Sequence, residues 1–161
     1  MTKELSPIEE LKEKYSKLQS KYTLPGFKEI NEIFEIEDVD VETEFLLKKI
    51  RIVMSDKISN YIRFIDLILN PSNSPIFLFK LVKKLDGEDR DKLVEIYEKL
   101  GSFEIQIMAL DLNYSEKSEA DFIKKLYNTF KDEIKDNFSN IVEKMDNGKE
   151  SSVKVNGSYF G

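Results

Sequence analysis

"ETEFLLKKIRIVMSDKISNYIRFIDLIL", residues 42–69, decides the fold. Leu47, Ile50, Met54, Ile58, Tyr61, Ile65 and Ile68 recur at three- and four-residue intervals. That spacing places them on one face of a helix. Phe45, Val53, Ile62, Phe64 and Leu69 widen the stripe toward the C-terminal end. A helix apolar over so much of its surface must be covered on several sides, so it belongs at the centre of an all-helical fold.

The neighbouring segments supply the cover. Downstream, "NPSNSPIFLF" at 70–79 reads as a stop, a corner and a new start. Pro71 cannot continue a helix. Ser74 is a capping residue type, and Pro75 suits a first helical position. Ile76, Phe77, Leu78, Phe79, Leu81, Val82 and Leu85 then predict a short buried helix. The less favoured alternative is an exposed patch with Phe77 or Phe79 as anchors.

Asp86 predicts the cap of another helix, with Glu88 and Asp89 at its positive end. Leu93, Ile96, Tyr97, Leu100, Phe103, Ile107 and Leu110 form its apolar face, and Gly101-Ser102 inside it point to a bend or a close helix crossing. After a corner at "LNYSEKSEADF", with Ser115 or Ser118 as cap, a last helix runs from about Glu116 to Met145. Its face is Phe122, Leu126, Phe130, Ile134, Phe138, Ile141 and Met145.

Upstream, "SPIEELKEKYSKLQSKY" carries a capping box, with Ser6 at the cap and Glu9 three residues on. Ile8, Leu11, Tyr15, Leu18 and Tyr22 make a narrow seam about two heptads long. It suits packing on the chain's own bundle, or docking on another chain. Pro25 and Gly26 break this helix, a short one follows in "FKEINEIF", and "EIEDVDVETEF" reads as an acidic connector.

The expected architecture is therefore an antiparallel bundle of four to five helices. It divides into an amphipathic helix at 1–22, a bundle core at 23–146 and a tail at 147–161. In the tail, Asn156-Gly157 stands between alternating residues, a hairpin signal. Val153, Val155, Tyr159 and Phe160 could add to a partner as a strand, as the seam of residues 8–22 could by helix docking.

Composition narrows the chemistry. The 161 residues contain no cysteine and no histidine, which removes disulfides, Cys/His metal sites and the commonest general base. No phosphate-binding glycine loop and no G-x-S-x-G elbow occurs. "LDGEDRDKL" fails the EF-hand pattern, because glycine follows the first Asp directly and Arg90 stands where a ligand belongs. No cofactor is expected. A net charge of −6 argues against direct binding to nucleic-acid phosphates. The clusters Lys48-Lys49-Arg51, Lys83-Lys84 and Lys124-Lys125 read as solvated helix faces. The charged N-terminus and the short apolar runs predict neither a secretory segment nor a membrane span, and hence a cytoplasmic protein.

Two acids stand inside apolar surroundings, Asp66 and Asp111. Arg63 precedes Asp66 by one helical turn and predicts an ion pair. Arg63, Asp66, Glu104 and Asp111 are the candidates for a polar pocket. The leading expectation is a non-enzymatic interaction or accessory protein with a protein partner, self-association being a further outcome. An acidic inhibitor filling the basic groove of a nucleic-acid-binding protein is the second; it requires the acids of "EIEDVDVETE" and "DGEDRD" on one face. A carboxylate-based metal or small-molecule site inside the bundle is the third.

Overall fold

The computed structural model describes residues 3–147. The chain is all-α, with no strand among those residues. In chain order the helices are α1 (Pro7–Tyr22), α2 (Phe27–Phe34), α3 (Leu46–Leu69), α4 (Ile76–Val82), α5 (Gly87–Leu112), α6 (Glu116–Thr129) and α7 (Lys135–Asn147). A π-helical turn at Phe130–Ile134 joins α6 to α7, so the two make one continuous rod. With that rod counted once there are six helices among the described residues, one above the expected range.

α3 is the central helix, packed against α5 and the α6 segment. Leu47, Ile50, Met54, Ile58 and Ile65 are each no more than 1% exposed, as their spacing predicts. α3 and α5 run antiparallel: Arg51 near the start of α3 meets Asp111 near the end of α5, and Ser59 meets Glu104 one step further along. Phe34, Tyr61, Phe130 and Phe138 form an aromatic cluster between α2, α3 and the α6–α7 rod, with neighbouring ring centroids 5.3 to 5.7 Å apart.

The caps explain the boundaries. Ser6 and Glu9 close a capping box on α1, and Asp86 and Asp89 close one on α5. Ser115 caps α6. α1 ends at Thr23, whose φ of 55° is left-handed, two residues ahead of the proline that the sequence marks as the break. The α3 helix begins at Leu46, four residues later than expected. Asp40 Oδ1 accepts from the Glu42 N–H and Thr43 Oγ1 from the Phe45 N–H, and these local turns compete with a helix start.

The corner at 70–79 differs from expectation both in its cap and in the burial of the helix that follows. It does contain a stop and a turn, with a 3₁₀ segment at Pro71–Asn73. Ser74 however donates its hydroxyl back to the Leu67 carbonyl, and Pro75 takes the position before the first helical residue. α4 is only partly buried: Leu78 and Val82 point inward, while Ile76, Phe77 and Phe79 are exposed at 82%, 67% and 45%. A helix of seven residues resting on one side of the bundle has too little neighbouring surface to cover a fully apolar circumference.

Candidate functional site

The polar centre of the bundle is built around Arg51. Its position in α3 follows from the inward stripe, four residues after Leu47 and three before Met54. The side chain is 1% exposed. Burial on that scale requires a partner for the guanidinium. Glu119, on the first turns of α6 and fully buried, supplies it. Arg51 Nε donates to Glu119 Oε2 at 2.8 Å and Nη2 donates to Oε1 at 3.1 Å. Nη2 also donates to Asp111 Oδ1 at 2.8 Å, from the end of α5. Burial alone would make the charge harder to keep. The hydrogen bonds and negative charges of Glu119 and Asp111 outweigh it and hold the Arg51 pKa above its ordinary value. The triad ties α3, α5 and α6 together at one end of the bundle.

The sequence candidates separate here. Glu104 and Asp111 come together, both lining a groove of about 420 Å³ between α3 and α5 with Arg51, Ser55, Asp56 and Met108. Arg63 and Asp66 do not join them. Both are exposed, and Asp66 accepts from the Asn70 side chain at 2.8 Å in place of the expected Arg63. The sequence assigns Arg51 to a solvated basic cluster, and it is instead the most deeply buried charge on α3. The signal for this is its phase: Arg51 falls on the stripe of Leu47, Met54 and Ile58. Glu119 carries the same signal, three residues before Phe122 and four before Ile123.

The helix seam at the N-terminus is occupied by the chain itself. Leu11 and Tyr15 are fully buried, and Ile8, Leu18 and Tyr22 are half-buried. Tyr15 donates its hydroxyl to the Pro25 carbonyl at 2.6 Å, and burial pushes its pKa up. Tyr22 and Lys21 both reach Glu116 of α6, at 2.6 and 3.0 Å. Val153, Val155, Tyr159 and Phe160 lie outside the described residues.

Among the described residues, free apolar surface lies on α4, at Ile76, Phe77 and Phe79, and on the outward side of α5. The inward residues of α5 are Leu93, Ile96, Leu100, Phe103 and Leu110. A second series, Val94, Glu98, Gly101, Ile105, Met108 and Leu112, is spaced four, three, four, three, four along the opposite side. Val94, Ile105, Met108 and Leu112 are exposed at 42%, 67%, 62% and 82%. They form a ridge. On one flank lies the Arg51–Asp111 groove, and on the other a groove of about 440 Å³ between α5 and α6, lined by Gln106, Ala109, Asp121 and Lys125 among others. Sequence reasoning misses this second series because the inward stripe alone accounts for the helix.

No group of three acidic residues stands at metal-binding distance among the described residues. No described helix is long and apolar enough to cross a membrane. No family model matches the chain, and neither curated proteins nor solved structures give a match, so the site is read from its own geometry.

Proposed function

We propose that this chain is a non-enzymatic accessory protein that binds a protein partner through the outward face of α5. The observation that carries the reading is the exposed ridge of Ile105, Met108 and Leu112 between two grooves. Apolar side chains in phase along a helix, with no cover among the described residues, are the usual form of a helix-docking surface. The polar triad around the buried Arg51 and Glu119 supports the same view from the other side. Arg51 is fully engaged by two carboxylates, as a structural pin is. The acidic-inhibitor alternative loses ground. Residues 35–44 precede α3 and residues 86–91 open α5, so the two acidic runs sit at opposite ends of a helix about 36 Å long. Glu35, Glu88 and Asp89 are moreover paired with Lys57, Lys92 and Lys144.

The test is site-directed photo-crosslinking in cells of origin. A photoreactive residue replaces Met108, and as a control the exposed Asn140 on α7. The expected result is one discrete adduct from position 108, absent from position 140 and abolished by Ile105→Glu. Equal labelling from both positions, or none at 108, overturns the proposal.

A further inference from the structure

Gly101 sits in the middle of the 26-residue α5, on the outward series. A glycine there weakens a helix relative to alanine, so it calls for a reason. The described residues provide none: a Cβ built at Gly101 would meet nothing within 4 Å among them. The backbone at this point is open to close approach from outside. Small residues at the centre of an apolar helix face let a second helix cross at short range. The four-three spacing on both sides of Gly101 is the spacing of a helix–helix seam.

Charge restricts what can lie on it. The positions flanking the series are Glu95, Tyr97, Ser102, Glu104, Ala109 and Asp111, and none of them is basic. Glu95 is paired with Lys99. Glu104 accepts only from Ser59, and neither it nor Asp56, exposed across the groove, has an ion-pair partner among the described residues. Arg51 is buried and outnumbered by its two carboxylates. Lys125, in the other groove, and the exposed Arg90, one turn before Val94 on the same side of α5, are the basic exceptions. A second copy crossing at Gly101 would set Glu104 and Asp111 against Glu98 and Asp91 if it lay antiparallel, and against their own counterparts if parallel, on a chain that already carries −6.

Resting on the proposed function, we infer that the partner of α5 presents an amphipathic helix with an apolar seam and Lys or Arg on its flanks, crossing at Gly101. The seam from Val94 to Leu112 spans about 27 Å, room for some five turns of such a helix.

The experiment uses the full chain and two synthetic helical peptides of about three heptads with the same Leu/Ile seam, one flanked by Lys and one by Glu. Binding is read by fluorescence anisotropy at low and high salt. The Lys-flanked peptide is expected to bind about tenfold tighter or better at low salt, and to lose that advantage at high salt. Glu104→Lys should reduce the difference. Gly101→Leu should leave the fold intact, since its side chain enters open space, yet weaken the Lys-flanked peptide about tenfold. Equal binding of both peptides, or an unchanged affinity in Gly101→Leu, overturns the inference. So does sedimentation as a dimer that Ile105→Glu dissolves, which makes the occupant a second copy. An adduct from position 108 to residues 148–161 of the same chain would likewise overturn it. A discrete adduct at Met108 with no peptide preference would leave the docking function standing and remove only the basic helix; no adduct at all would remove the function itself.

Discussion

Arg51 and Glu119, sixty-eight residues apart in sequence, meet through two hydrogen bonds where neither side chain is more than 2% exposed. A paired buried charge and an orphaned one have different consequences. Arg51→Met leaves the buried Glu119 without its counterpart, and a loss of about 3–5 kcal/mol is expected; Glu119→Leu, which leaves Arg51 with the half-exposed Asp111, should cost less. Arg51→Met combined with Glu119→Leu should recover most of that loss, because neither charge is then stranded. Chemical denaturation of the four proteins measures the coupling. Additive losses in the double variant would show that the residues act separately.

Asp111 shares Arg51 but is about half exposed, and it should behave otherwise. Asp111→Asn is expected to cost under about 1 kcal/mol, since water screens a half-exposed pair. Asp66→Asn, on the exposed side of α3, should fall within about 0.5 kcal/mol of the parent. A thermal melt of each checks both values.

Glu116 anchors the end of α1. Hydrogen bonds from Tyr22 and Lys21 hold its carboxyl below the ordinary value of 4.5. A group with a depressed folded-state pKa contributes stability above its unfolded pKa and loses it as pH falls through the folded value. The anchoring of α1 should therefore hold at neutral pH and weaken below about pH 4.5. Amide protection factors, which correct for the pH dependence of intrinsic exchange, should fall in residues 16–22 on acidification ahead of those in α3. In Glu116→Gln, protection there should be low already at pH 7 and change little with acid. If the variant keeps the parent's pH profile, another carboxylate is responsible.

Thr23 ends α1 with φ at 55° and is exposed. A β-branched residue is strained in that region, and glycine is not. Thr23→Gly is expected to stabilise the protein by about 0.5–1 kcal/mol, read as a higher denaturation midpoint. A lower midpoint would mean that the threonine side chain makes a compensating contact.

Much of the fold is legible in the sequence because helix phase and punctuation agree. The α3 stripe, the capping box of Ser6 and Glu9, the cap at Asp86 and the long last helix all rest on local rules, and all appear. The misreadings share a different cause. Whether α4 is covered depends on how much surface its neighbours offer. Which carboxylate Arg51 finds depends on how α6 is laid against α3. Neither is a property of the local sequence. The ridge on α5 is legible in principle, since Val94, Ile105, Met108 and Leu112 are in phase, but only the structure separates the covered series from the bare one.

The π turn at Phe130–Ile134 has a genetic corollary. Such a turn amounts to one surplus residue in an otherwise α-helical rod. It retards the rotation of the downstream turns, which is how Phe130 and Phe138, eight positions apart, both reach the ring of Tyr61. Loss of a single codon for Lys131 or Asp132, both on the wet side, would convert the turn to ordinary α-helix while keeping both flanks in phase. Loss of one codon outside the turn, at Lys124, would rotate Phe130 and Phe138 by about 100° and draw them out of the core. Within this rod, tolerance to a one-residue deletion is concentrated in the solvent-facing residues of that one turn.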